Sequence, residues 1–308
     1  MNILLVGGEA AGIQTLHAIA RTEHRLVAVL TSPSKSRFAG SDISAPAQKL
    51  GVSVWPAQLV KDPNFSTTLK AERVDLLLNV HSLFIICPEV LAAPKIGSFN
   101  LHPGPLPSYA GLNSPSWAIY RGEESHGVTV HWMVPKIDAG PIAYQTRIAI
   151  EEQDTGLSLA LKCVRAGLPL IRALLHDANE GPRAIPQIAQ DLKRRTYFGA
   201  PPPNHGRLCW AMAAHAIVNF VRACDYRPFP SPWGAPLTKA GNREVGIVAV
   251  RRTGRSTDQR PGTIGQINED GVEVACLDEW ILVTGVIENG QHQEVGQVLG
   301  AVKRLEEH

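Results

Sequence analysis

The chain has 308 residues, 44% of them hydrophobic and 19% charged, which suits one large or two medium folded domains and excludes a disordered polymer. A formal net charge of +2 is too close to zero to make nucleic acid the default partner. Five scattered cysteines (Cys87, Cys163, Cys209, Cys224, Cys276) form no CxxC pair and no zinc-spaced cluster, no apolar run reaches about 18 residues, and "MNILLVGG" enters a strand without a basic leader, so the expectation is a cytoplasmic protein with reduced thiols, no metal and no membrane span.

In chain order, "NILLVGG" is a continuous apolar run ended by glycines and reads as a buried strand. "AAGIQTLHAIART" has helical spacing, "RLVAVLTS" is a second strand, "SAPAQKLG" a short helix and "VSVWP" a third strand. "NFSTTLKAER" is helical and "VDLLLNV" is a fourth buried strand. Strands alternating with helices predict an α/β domain around a mainly parallel sheet. "IGSFNLH" is a further strand leading into a proline-rich loop, and "SPSWAIYRG" is a helix with Asn113 or Ser114 as N-cap. "HGVTVHWMV" and "PIAYQTRIAI" alternate as an antiparallel pair would, and "TGLSLALKCVRAGLPLIRALLHDA" is a long amphipathic helix closing the first domain at about residue 180. The Pro- and Gly-rich stretch 181–208 reads as a linker, and residues 209–308 as a second domain. In that domain one helix, "AMAAHAIVNFVRAC", precedes the short strands "VGIVAVRR", "GTIGQI", "GVEVAC" and "EWILVTGVI", a pattern for a small β-barrel.

Three places carry chemistry. "VGGEAAG" after the first strand is not G-x-G-x-x-G, and no acidic residue ends the second strand, so a tight strand-to-helix turn explains it better than a dehydrogenase nucleotide site. Asn100 and His102 stand two residues apart at a strand end, so both side chains point to one side, outside a carboxyl edge where open α/β folds bind ligands. Pro103, Pro105 and Pro107 directly behind them fix backbone angles, which a loop holding reactive groups still requires. Asp138, in "VPKIDAGPI", reads on its own as an ordinary turn aspartate.

"FNLHPGPLPSYAG" together with "GVTVHWMVPKIDAGPI" resembles the folate-dependent formyltransferases, a group that includes glycinamide ribonucleotide, methionyl-tRNA and amino-sugar members as well as formyltetrahydrofolate hydrolase domains. The resemblance implies a Rossmann-like formyltransferase domain followed by a smaller OB-like barrel, with 10-formyltetrahydrofolate as donor and no metal. It makes Asn100, His102 and Asp138 the catalytic set: Asn100 stabilises the formyl oxyanion, with help from a protonated His102; His102 also serves in the proton exchange; and Asp138 either holds the imidazole and raises its pKa or takes the proton through a water. It places the folate pocket at "LLNVHSLFIICPEVL", hence His81, Ser82, Leu83, Phe84 and Ile85, and acceptor contacts at Ser108, Tyr109, Gly111 and Asn113. The acceptor contacts depart from the family pattern, since "P-G-P-L-P" replaces the usual Ser-Leu-Leu-Pro text and Ala110 stands where an Arg is common.

The segment "SPSKSRFAGSDIS" is short where tRNA-acting members carry a long basic loop, with only Lys35 and Arg37 as cations, and Arg251, Arg252 and Arg255 form one small cluster read as a solvated face. Phosphate contacts dominate nucleic-acid affinity, so the expected acceptor is a small-molecule or carrier-bound amine (an amino sugar, amino acid or natural-product precursor) rather than tRNA. Methionyl-tRNA formyl transfer and hydrolysis of 10-formyltetrahydrofolate are the alternatives, and the second domain could also be a module that tethers an RNA or a carrier protein.

Overall fold

The computed structural model describes residues 1–32 and 42–306. Lys35 and Arg37, on which the argument from the short basic loop rests, lie outside the described residues.

The first of two compact units comprises Met1–Gly111, His126–Ile148 and Ala160–Phe198. Along the chain run β1 (Asn2–Gly7), α1 (Glu9–Ala20), β2 (Arg25–Thr31), α2 (Ser44–Lys49), β3 (Ser53–Pro56), α3 (Phe65–Ala71), β4 (Leu76–Val80), α4 (Pro88–Leu91) and β5 (Gly97–His102). There follow β6 (Ala110–Gly111), α5 (Ser114–Tyr120), β7 (Ser125–Trp132), β8 (Ile142–Ala149), α6 (Gly156–Asn179) and β9 (Tyr197–Phe198). One sheet has the order β3-β2-β1-β4-β5-β7-β8; the pairs from β3 to β5 are parallel, and β7 runs antiparallel to β5. This is the mainly parallel α/β sheet that the alternation predicts and the Rossmann-like architecture that the resemblance implies.

The central strands are apolar throughout because both sheet faces are covered. Ile3 and Leu5 face a core shared with Leu16 and Ile19 of α1 and Ile171, Leu174 and Leu175 of α6. Leu4 and Val6 face the opposite core with Phe65, Leu69 and Val90. Each fully buried Leu or Ile is worth about 1.5–3 kcal/mol, so these two layers hold the strand ends in fixed register. In "VGGEAAG", a Cβ on Gly7 would lie 2.6 Å from the Val80 carbonyl oxygen, so close approach of β1 and β4 accounts for that glycine.

The second unit comprises Leu112–Ser125, Ala149–Leu159 and the chain from Gly199. It contains α5, where Asn113 takes the N-cap position with a left-handed φ of 55° and without a side-chain cap bond. It also contains α7 (Ala214–Ala223), β10 (Leu237–Ala240), β11 (Arg243–Ser256), β12 (Ile264–Asn268), β13 (Gly271–Ala275), β14 (Glu279–Glu288), β15 (Gln291–Gln293) and α8 (Val295–Leu299). The strands form an antiparallel sheet in the order β10-β11-β14-β13-β12, with β15 paired to β14. The C-terminal tail bridges both edges of this sheet, Glu306 to Lys239 and Arg304 to Thr263. β10, β15 and α8 do not appear in the sequence reading. Arg251, Arg252 and Arg255 lie beside Asp270, Glu279 and Glu273 respectively, so the basic cluster is locally neutralised.

Among the described residues, no helix is long and apolar enough to cross a membrane.

Candidate active site

Strand register builds the site. Asn79 on β4 pairs with Asn100 on β5, and Asn100 pairs with His131 on β7, so three polar side chains form one row across the sheet. Two pairs further on, on the same face, His102 stands opposite Thr129. A buried amide is costly unless bonded, and the row meets that need in part, since Asn79 Oδ1 has no partner among the described residues. Asn79 donates its Nδ2–H to Asn100 Oδ1 at 2.9 Å, and Asn100 Nδ2 lies 3.1 Å from His131 Nε2 and 3.3 Å from Asp138 Oδ1. An ionised carboxylate only accepts, so Asp138 fixes which way the Asn100 amide faces.

Asp138 reaches this row from the turn between β7 and β8. Its Oδ2 accepts the Gly111 N–H at 2.8 Å and lies 3.6 Å from His102 Nδ1, while Oδ1 lies 3.4 Å from His131 Nε2. Asn100, His102 and Asp138, 38 residues apart in sequence at the extremes, therefore meet at one carboxylate that is 8% exposed. His131 and Asn79 belong to the same constellation and are absent from the sequence reading. The available signal was the alternation in "VTVHW", which puts Thr129 and His131 on one face, but only the β5–β7 register shows which face that is.

His102 is locked by its other nitrogen. Nε2 donates to the Tyr109 carbonyl at 2.7 Å, which leaves Nδ1, the atom facing Asp138, to accept a proton. A Cβ on Gly104 would sit 2.6 Å from His102 Nε2 and 2.9 Å from the Tyr109 oxygen, so "P-G-P" needs its glycine for this contact. The prolines are not the sole restraint on the loop. Thr129 Oγ1 donates to the Gly104 carbonyl at 2.7 Å and accepts the Leu106 N–H at 3.2 Å. Gln145 Nε2 donates to the Leu106 carbonyl and to Thr129 Oγ1, both at 2.8 Å, and His126 Nε2 donates to the Pro103 carbonyl at 2.8 Å.

Burial pushes the His102 pKa below its ordinary value, against the opposing pull of Asp138 and the Tyr109 carbonyl. Asp138 does pull this pKa upward, as expected, but desolvation of an imidazole only 3% exposed outweighs it, so the net shift is downward. For Asp138, burial works upward, yet the two imidazoles and the Gly111 N–H together hold the carboxyl well below the usual range. His126, buried against the Tyr109 ring, is pushed down to about 4 by desolvation. The arrangement pairs a neutral imidazole, ready to take a proton, with a charged carboxylate beside it.

The other candidate residues fall into two groups. On the segment after β4, Leu83 and Ile85 are 81% and 63% exposed, Lys61 stands over the Phe84 ring at 5.2 Å, Ser82 Oγ accepts the Phe84 N–H at 3.3 Å, and His81 lies 3.9 Å from Glu9. This segment starts one residue beyond Val80, which pairs with Leu101, so it begins beside the His102 end of β5. In the second group, Tyr109 turns its ring inward between His126 and Phe198 and offers only its carbonyl to the site. Gly111 gives its N–H to Asp138, Ser108 is half-buried, and Asn113 belongs to the second unit.

Residues 1–169 match the family described as formyl transferase, and residues 202–300 match formyl transferase, C-terminal domain. Among solved structures, the chain is similar to the N-formyltransferase of Helicobacter canadensis in complex with folinic acid and dTDP-3-aminofucose, at 19% identity and a TM-score of 0.69 over 92% of this chain and 98% of that one. It is similar to WlaRD, a sugar 3N-formyl transferase, at 17% identity and a TM-score of 0.70 over 92% and 97%. It is also similar to HypX from Aquifex aeolicus in complex with tetrahydrofolic acid, at 16% identity and a TM-score of 0.64 over 97% of this chain and 47% of HypX.

Proposed function

The chain belongs to the formyl transferase family, and from that premise we propose that it moves the formyl group of 10-formyltetrahydrofolate to the amine of a small-molecule or carrier-bound acceptor. The observation that carries this reading is the meeting of Asn100, His102 and Asp138 at one buried carboxylate.

The acceptor amine attacks the formyl carbon, a C–N bond forms, and the formyl oxygen gains negative charge. Asn100 donates an Nδ2–H to that oxygen, exchanging its long contacts with His131 and Asp138 for a charge-assisted bond. His102 Nδ1 takes the proton that the attacking nitrogen loses and returns it to the folate nitrogen as the carbon–nitrogen bond to the donor breaks. A depressed pKa suits the first half of this exchange, since the imidazole is neutral at pH 7. Asp138 stabilises the imidazolium that exists between the two transfers. Each of these contributions is worth about 10²–10⁴ in rate. The exposed Leu83 and Ile85, flanking Phe84, offer an apolar surface for a flat pterin.

A small acceptor is favoured because H. canadensis N-formyltransferase and WlaRD are sugar-directed enzymes similar to this chain along nearly its whole length, and because the arginines of β11 already have carboxylate partners. The test is release of tetrahydrofolate from 10-formyltetrahydrofolate with dTDP-3-aminofucose, a set of free amino acids, methionyl-tRNA or water alone. Formylation of a small amine is expected. Formyl-methionyl-tRNA as the dominant product, or donor breakdown that no amine accelerates, would overturn the reading.

A further inference from the structure

Asp138 does its work only if its turn presents the carboxylate to His102, and the turn has an unusual backbone. Asp138 has a φ of 51°, in the left-handed region that non-glycine residues avoid. What holds it there comes from 52 residues away. Gln190 Nε2 donates to the Asp138 carbonyl at 3.0 Å and to the Gly140 carbonyl at 2.6 Å. Both partners only accept, so both hydrogens of the amide are committed and the amide's orientation is settled. Gln190 Oε1 is buried and meets no donor among the described residues, so the side chain gains nothing there except the two bonds to the turn.

The segment around Gln190 is itself tied down at several points. Ile188 exchanges backbone bonds with Ile142 at 2.8 and 2.9 Å, and Trp132 Nε1 donates to the Pro186 carbonyl at 2.9 Å. Arg195 Nη2 donates to the Ile137 carbonyl at 3.0 Å, adjacent to Asp138. Thr196 Oγ1 accepts the Tyr109 N–H at 2.8 Å, and its carbonyl accepts the Ala110 N–H at 2.9 Å. One strap, residues 186–198, thus braces both the turn that carries Asp138 and the loop whose Tyr109 carbonyl holds His102.

We infer that Gln190 is a positioning residue of the reaction: its amide clamps the carbonyls on either side of Ala139 and so keeps the Asp138 carboxylate facing His102. The inference rests on the formyl-transfer reading above for the importance of that carboxylate. Gln190 touches no reacting atom, and its effect passes wholly through Asp138. Without the clamp the left-handed turn relaxes and the carboxylate moves away from Nδ1. A displacement of about 1 Å in such a site costs up to roughly 100-fold in rate.

The groups facing His102 are Asp138 from the turn, His131 and His126 from β7, and His81 from the end of β4. Of these, Asp138 alone supports the imidazolium. Moving it off therefore lowers the His102 pKa further, a change that a loss of general stability would not produce.

The experiment uses the full chain with Gln190→Leu, which removes the donors, and Gln190→Glu, which keeps the shape and removes the donors. Each is made alone and in an Asp138→Asn background and assayed with 10-formyltetrahydrofolate and the amine accepted in the panel above. The expected result is a fall in kcat of about 10- to 100-fold for either variant with both KM values nearly unchanged, and less than about threefold further loss once Asp138 is already Asn. Titration of the His102 imidazole by NMR, which needs no acceptor, is expected to move to lower pH in Gln190→Leu. If Gln190→Leu fails to fold, Gln190→Glu alone carries the comparison. An equal loss with and without the Asp138 carboxylate, wild-type turnover, or an unmoved His102 titration in a folded variant would overturn the clamp. Wild-type turnover of Asp138→Asn itself would instead overturn the reading on which it rests.

Discussion

Asp138 in the first unit and the arginines of β11 in the second show two ways to gather charge. Asp138 is one carboxylate shared by His102, His131, Asn100 and the Gly111 N–H, with almost no water around it. On β11, Arg251, Arg252 and Arg255 each have their own carboxylate and are half or more exposed, 60% for Arg251 and 55% for Arg252. Water screens the Arg251–Asp270 pair, exposed on both sides, and leaves it worth about 0–1 kcal/mol, whereas Arg252 and Arg255 reach carboxylates that are themselves buried. In the first arrangement, the poorly screened field acts on groups that cannot rehydrate, so it shifts protonation and fixes orientation. Convergence and burial, rather than the number of charges, separate a site from a surface.

The sharpest way to break this comparison is to remove the shared carboxylate or its imidazole. Asp138→Asn and His102→Ala are each expected to lower kcat by about 10²–10⁴-fold with the unfolding temperature little changed, read by steady-state kinetics beside thermal unfolding. Next in size is Gly104→Ala. The added methyl would meet His102 Nε2 and the Tyr109 oxygen, so the ring shifts and turnover drops by about 100-fold, while donor binding measured by fluorescence titration stays within a few-fold.

A third test concerns stability rather than rate. His126 has a folded pKa of about 4 against an ordinary 6.5, so the unfolded chain takes up the proton first as pH falls. The stability tied to its neutral form is complete above pH 6.5 and is lost on acidification towards pH 4. Between pH 7.5 and 5 this amounts to about 2 kcal/mol, and urea unfolding of His126→Gln should show a correspondingly shallower acid dependence than the wild type. The smallest effect belongs to the surface pair. Arg251→Gln should change unfolding free energy by less than about 1 kcal/mol and leave kcat alone. A large loss of stability there would mean that exposure does not weaken the Arg251–Asp270 pair as argued.

Much of the fold was legible. Apolar runs of β-strand length alternating with helical spacing yielded the parallel sheet, and period-two alternation put Asn100 and His102 on one side of β5. The misses have physical causes. His131 and Asn79 join the row through cross-strand register, which depends on how β4 and β7 seat against β5. The resemblance puts Tyr109 among the acceptor contacts, yet its ring is buried between His126 and Phe198 and its carbonyl bonds His102. The direction of the His102 pKa depended on weighing burial against charge, and burial is a property of the packed molecule.

The sequence by itself determined the local order of strands and helices, the shared side of Asn100 and His102, and the stiffened loop behind them, because these follow from side-chain periodicity and from proline geometry among near neighbours. Only the tertiary structure decided that one carboxylate serves two imidazoles, that Gly104 must be a glycine, and that Gln190 grips the Asp138 turn. The carboxylate and the grip join distant parts of the chain, Gln190 lying 52 positions from Asp138, and the Gly104 contact depends on how the loop folds back onto His102, so none is written into the side-chain pattern of a short stretch.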